Sequence, residues 1–211
     1  MNSNGFTLDW HDLSLWRGDR CLQTGLTGSI AAGCAVTVRG PNGCGKTTLL
    51  RTLCGLSYPE TGEIRWCGER IERDRPGFYS QLAYSGHSSG LKSELSPREN
   101  LRFAGRLRGR NGDPDRLLAG LGLSRCADLP VRNLSAGQRR RAALALVLDS
   151  GAALWVLDEP FTNLDAAGSE WLGERLNAHV HEGGLLLLAA HQGSRIDPNR
   201  EQLLELTGGA T

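Results

Sequence analysis

The first forty residues mix short segments of alternating apolar and polar positions with turn residues, Arg17-Gly18-Asp19 and Ala32-Gly33 among them. That pattern predicts strands joined by tight turns, an antiparallel β region. Ala35-Val36-Thr37-Val38 is then a β-branched run leading straight into Gly40, and Thr47 to Leu56 carries apolar residues at helical spacing. The order is strand, glycine loop, helix. From Ser96 to Ala145 the spacing turns helical, with Pro97 in the first turn after Ser96 and Gly112-Asp113-Pro114 breaking the run. A small helical subdomain over about residues 88–145 follows from it. Ala153-Leu154-Trp155-Val156-Leu157 and Leu185 to Ala190 are continuous apolar runs separated by a helical stretch from about Ala166 to His181. Such runs fit parallel strands buried on both faces, so the chain reads as α/β with a mainly parallel core sheet. No internal repeat or low-complexity linker interrupts it, and Thr207 to Thr211 reads as a loose tail.

A length of 211 residues suits one substantial core, and residues 1–211 are taken as a single domain. Lys plus Arg total 24 against 23 for Asp plus Glu, so a net charge of +1 offers no whole-chain argument for nucleic-acid binding. Met1 to Trp10 lacks the pattern of a secretory signal, and no apolar run approaches the ~18 to 20 residues needed to cross a bilayer. The polypeptide is expected to stay in the cytosol. Cys21, Cys34, Cys44, Cys54, Cys67 and Cys126 form no C-x-x-C pair and are expected to be free thiols.

Gly40-Pro41-Asn42-Gly43-Cys44-Gly45-Lys46-Thr47 fits G-x-x-x-x-G-K-[ST] between a strand and a helix, the context that motif requires. Glycines let successive backbone N–H groups turn toward phosphate oxygens, and the helix adds the positive end of its dipole. In that reading Lys46 reaches the β and γ phosphates of ATP and Thr47 ligates Mg²⁺. Asp158 and Glu159 follow the apolar run Leu154 to Leu157, at the strand end where ligands of open α/β sheets gather. Asp158 is placed in the Mg²⁺ shell, and Glu159 beside the attacking water.

Leu134-Ser135-Ala136-Gly137-Gln138 precedes a helical run from Arg139 to Leu148, and with it the chain resembles the ATP-binding cassette family of P-loop ATPases over nearly its whole length. In family order, Gly40 to Thr48 resembles the phosphate loop, Leu134 to Gln138 the signature, Leu154 to Glu159 the acidic strand, Thr162 to Asp165 the D-loop and His191 the switch histidine. The resemblance implies two copies packed head to tail, the signature of one closing over the ATP of the other. Ser135 with the amides of Ala136 and Gly137 suits a γ-phosphate at a helix start. Ala136 departs from the commoner glycine. His191 is implied to contact the γ-phosphate, whereas His11, His87, His179 and His181 are read as surface or packing residues.

Trp16 lies 46 − 16 = 30 residues before Lys46, near the family's adenine-stacking aromatic; a core tryptophan fits equally. The family glutamine that touches Mg²⁺ falls near Ser88, a shorter side chain, and Gln81 comes too early to replace it. Gly86-His87, Gly90-Leu91-Lys92, Glu99-Asn100-Leu101 and Ala190-His191-Gln192 resemble the branch serving cytochrome c maturation, the haem exporter ATPases. That resemblance implies a peripheral subunit on the cytoplasmic side of the inner membrane, with multi-pass partners meeting Ser85 to Ser96 and the helix behind it. Arg98, Arg102 and Arg106 recur every four residues and are expected on one solvated face of that helix. Another small exporter ATPase is the alternative; a soluble cassette on nucleic acid or ribosomes usually shows a coiled-coil insertion or tandem cassettes, and this chain has neither. A non-hydrolysing clamp is the third, opposed by Glu159 and His191.

Overall fold

The computed structural model describes residues 5–86, 90–110, 112–190 and 193–207. The chain runs through β1 (Thr7–Arg17), β2 (Arg20–Ala31), β3 (Ala35–Arg39), α1 (Lys46–Leu53), β4 (Thr61–Trp66), β5 (Glu69–Arg70), α2 (Arg75–Ser80) and β6 (Leu82–Ser85). It continues through α3 (Pro97–Leu107), α4 (Pro114–Gly120), α5 (Ala136–Leu148), β7 (Leu154–Asp158), α6 (Ala166–His181), β8 (Leu185–Ala189) and β9 (Glu201–Glu205). Two compact units result: Met1–Tyr84 with Ala152–Glu159 and Leu176–Thr211, and Ser85–Gly151 with Pro160–Arg175.

In the first unit, β2, β1, β4 and β5 form an antiparallel sheet in that order. Leu8 and Trp10 of β1 point into the core, and so do Leu13 and Leu15, so the inward parity changes from even to odd between them. The change is a bulge: the β1–β2 register shifts between Trp10 and Leu13, and Asp12 takes a φ of 51° there. A Cβ on Gly62 would lie 2.4 Å from the His11 carbonyl, so the neighbouring strand passes the bulge only as glycine. Once parity is odd, Trp16 must face outward, and it is 44% exposed.

The second sheet has the order β6-β7-β8-β3-β9, with β7–β8, β8–β3 and β3–β9 parallel. Every residue of β7 and β8 is buried, as their unbroken apolar runs predict for strands covered on both faces. Leu49, Leu50 and Leu53 of α1 complete the core against them. The β9 strand has no fully buried residue, three of its five being exposed, and gives no apolar run in the sequence. Beyond β9, Leu206 N donates to Arg39 O at 2.8 Å and the Thr207 carbonyl accepts from Gln23; of the tail expected to be loose, Thr207 is thus held, and residues 208–211 lie outside the described residues. All six cysteines are free.

The second unit holds α3, α4 and α5, each opened by a polar cap. Ser96 and Glu99 form a reciprocal capping box on α3, and Asp113 caps α4 directly before Pro114. Arg98 does not lie on a solvated face as expected. Its guanidinium grips Asp128 through two bonds of 2.6 and 3.1 Å and also meets Asp115, joining α3 to its neighbours. Arg102 and Arg106 are exposed.

Within the first unit, His179 of α6 stacks on Trp155 of β7 with ring centroids 3.8 Å apart and planes 2° from parallel, and one ring nitrogen lies 3.2 Å from Leu185 O. Burial holds its pKa below the usual 6.5. Between the folded value and 6.5 the unfolded chain binds the proton and the folded chain does not, so stability is full above that window and is lost as pH falls through it. Denaturant melts at pH 7.5 and pH 5.5 are therefore expected to differ less for His179→Phe, which keeps an aromatic ring on Trp155, than for the unmutated chain; an equal difference would remove His179 from the acid response.

Candidate functional site

The phosphate loop links β3 to α1, and the glycines bear its curvature: φ is 147° at Gly40, 80° at Gly43 and 108° at Gly45. A Cβ on Gly40 would fall 2.4 Å from Leu206 O and 2.7 Å from Cys44 Sγ, so position 40 excludes every other residue. Pro41 and Asn42 form the turn between them, closed by a bond of 3.3 Å from Cys44 N to Pro41 O. Gly45 is the N-cap of α1 and offers no side chain. The first intrahelical bond runs from Leu49 N to Gly45 O at 2.8 Å, so the amides of Lys46, Thr47 and Thr48 are the orphan donors of a helix start. Donors converging at the positive end of a helix favour an anion. Lys46 is 7% exposed, and its ammonium donates to Gly40 O at 2.8 Å and Pro41 O at 3.0 Å.

The acidic strand β7 meets this loop. Thr47 Oγ1 donates to Asp158 Oδ2 at 2.7 Å across 111 residues of sequence, and Asp158 is 3% exposed. A hydroxyl and a carboxylate so close form a hard oxygen pair of the kind Mg²⁺ uses together with phosphate oxygens. Among the described residues no group of three His, Cys, Asp or Glu could cage a metal unaided. Glu159 leaves the strand at a φ of 52°, anchored by its amide to Ala189 O at 2.9 Å, and is half-buried. The structure thus brings Gly40 to Thr48, Asp158 and Glu159 together in one unit. Trp16, exposed in that same unit, is not a core tryptophan. Gln81 caps the end of α2 and its carbonyl accepts from Leu154 N, a structural role.

The second unit presents Ser135 as the N-cap of α5. Its hydroxyl accepts from Gln138 N at 3.2 Å, and the Gln138 side chain accepts from Ser135 N at 2.8 Å. Ser135 and Ala136 are exposed. A Cβ on Gly137 would meet Asn163 at 3.6 Å, an ordinary contact, so the D-loop packs beside the signature turn without crowding it. Asp165 caps α6 by accepting from Gly168 N at 2.8 Å, which commits one of its oxygens to the helix. His191 and Ser88 lie outside the described residues.

The ABC transporter family model matches residues 24–162, a span holding the phosphate loop, the Ser135 turn and the acidic strand. This chain belongs to the ABC transporter family. It is an ATP-hydrolysing cassette of the transporter type. Among curated relatives it is 45% identical over 205 residues to the cytochrome c biogenesis ATP-binding export protein CcmA 2 of Salmonella paratyphi A, covering 96% of this chain and 98% of that one. It is 49% identical over 185 residues to CcmA of Aromatoleum aromaticum, covering 86% of each. A solved structure of the ATP-binding subunit of an ABC transporter superposes with a TM-score of 0.81 at 25% identity, over 96% of this chain and 88% of that one. A dimeric cassette bound to ADP and Pi after hydrolysis shares the fold at a TM-score of 0.80 and 20% identity, over 96% and 97% of the two chains.

Two polar residues at the cassette's site, Tyr84 near the acidic strand and Gln23 at the phosphate loop, are given no role by sequence reasoning. The phenol of Tyr84 is pushed up to about 12, by burial first and by the Asp158 carboxylate next, so it stays protonated beside the acidic strand. Gln23 bonds to the loop itself at Cys44 O. Neither stands out in a strand pattern, because only the fold brings Tyr84 to Asp158 and Gln23 to the loop. Thr47→Ala is expected to lower the stability of the nucleotide-free chain by about 1–3 kcal/mol, since the buried Asp158 loses a donor, while Thr47→Ser stays within about 0.5 kcal/mol. Chemical denaturation checks both; equal stability of all three chains would dissolve the coupling.

Proposed function

We propose that this cassette is the ATPase subunit of the haem exporter, or cytochrome c maturation, system, peripheral on the cytoplasmic side of the inner membrane. Its turnover powers maturation or release of a haem-carrying chaperone through multi-pass partners. The observation that carries this reading is the likeness, over up to 96% of the chain, to proteins named for cytochrome c biogenesis export. No helix among the described residues is long and apolar enough to cross a membrane. The chain acts as a single nucleotide-binding domain with about residues 88–145 as its helical subdomain, and Ser85 to Ser96 with α3 behind it is the docking side.

The geometry supports a division of labour. Lys46 exchanges the carbonyls of Gly40 and Pro41 for the β and γ phosphates, while the amides of Gly43 to Thr48 hold the remaining phosphate oxygens. Trp16 offers its exposed ring to the adenine. Thr47 and Asp158 hold Mg²⁺, which when bound neutralises charge on the phosphates. Ser88 takes the family glutamine's place in the sequence, and its shorter side chain would meet the metal through water or lose that contact. Glu159 polarises the attacking water, and His191 supports the γ-phosphate. Ser135 and the amides of Ala136 and Gly137, braced by Gln138, close the site from a second copy packed head to tail, with Asp165 in the adjoining loop.

Glu159→Gln removes the charge that draws a proton from water and spares the binding contacts. Hydrolysis is expected to fall at least about 100-fold, while ATP affinity stays within about threefold and ATP-bound dimers accumulate in light scattering. Turnover near that of the unmutated chain would remove Glu159 from this role. For the system, affinity purification from detergent-solubilised membranes is expected to return multi-pass proteins; isolation only with ribosomes or DNA would overturn it.

A further inference from the structure

Gln23 sits on β2, only 9% exposed, beneath the phosphate loop. Its side-chain nitrogen donates to Cys44 O at 3.0 Å and also to Thr207 O, just beyond β9. Both partners are carbonyls, so the two hydrogens of one primary amide serve two acceptors, and the amide has one orientation that satisfies them. The strand is close against the loop: a Cβ on Gly45 would meet Leu22 Cβ at 3.3 Å and Gln23 Cγ at 3.9 Å. The other end of the loop is braced by the same C-terminal segment, with Leu206 N bonded to Arg39 O at 2.8 Å and Leu206 O packed on Gly40.

A trans peptide plane carries its C=O and N–H in opposite directions. The carbonyl of Cys44 and the amide of Gly45 share one such plane, so pinning the first toward Gln23 aims the second away from β2, toward the side the phosphates occupy. Glycine at position 45, with φ at 108°, places little steric barrier against rotation of that plane. The hydrogen bond, rather than a side-chain clash, must then set its direction.

We propose that Gln23 is a positioning residue for nucleotide binding, holding the Cys44–Gly45 peptide in the orientation that accepts a phosphate and tying that orientation to the Leu206–Thr207 backbone. The proposal rests on the phosphate-loop reading above. It places a determinant of ATP affinity on a strand outside every motif, and it makes the end of β9 part of the binding apparatus.

The test compares Gln23→Met, which keeps length and volume but has no donor, with Gln23→Glu, which turns acceptor oxygens toward two carbonyls. ATP affinity and KM, kcat at saturating Mg-ATP and the unfolding temperature are measured for each, with affinities taken well below unfolding. Gln23→Met is expected to weaken ATP binding and raise KM about tenfold, and Gln23→Glu more, with kcat at saturation within about twofold of the unmutated chain. Either variant, if folded, serves as the test when the other is not. A lowered unfolding temperature with unchanged affinity, or a loss confined to kcat, would overturn the assignment and leave the phosphate loop standing. An unmutated chain that fails to bind ATP, or a Lys46→Ala chain that binds it equally well, would overturn the loop reading and this proposal with it.

Discussion

Gly45 opens α1 with no side chain to cap it, so the amides of the first turn are left facing outward as a cluster of donors at the positive end of a helix. Most helix starts in the chain are built the other way: Ser96, Asp113 and Ser135 each fold an oxygen back onto their own first turn. The contrast separates a helix end that serves structure from one that serves an anion. Ser135 stands between the two, since its capping box leaves it exposed with the following amides beside it.

The rest of the first unit holds that helix start in place. The parallel strands β3, β7 and β8 are buried and end side by side, so that the loop after β3 and the carboxylates at the end of β7 converge at one edge. Thr47 and Asp158, 2.7 Å apart, are the point of closure. A buried carboxylate is costly without donors, and the phosphate loop supplies one before any nucleotide arrives. The bulge at Asp12 has a different consequence in the antiparallel sheet: by changing the parity of β1 it turns Trp16 outward and leaves its ring accessible.

Much of this was legible in the residues because the patterns are local. The glycines at 40, 43 and 45 announce a backbone that other side chains cannot follow, and the unbroken runs before Asp158 and Ala190 announce strands covered on both faces. The outward turn of Trp16 depends on a register shift, and the apolar alternation of β1 could be read with either outcome for position 16. Gln23 and the β9 edge strand were hidden for another reason. Each acts through backbone carbonyls reached only after folding, across 21 and 184 residues for the two bonds of Gln23, and no spacing rule spans such distances. Arg98 misled because a four-residue period fixes a face without fixing what lies against it, here Asp115 and Asp128.

If the loop amides and Lys46 are the principal anchor, affinity must reside in the phosphates beyond the first. Calorimetric titration of the chain with AMP, ADP and ATP in the presence of Mg²⁺ addresses this directly. Several charge-assisted hydrogen bonds predict ADP and ATP binding at least about 100-fold tighter than AMP. Equal affinities for the three nucleotides would place the binding energy on the adenosine and contradict the account.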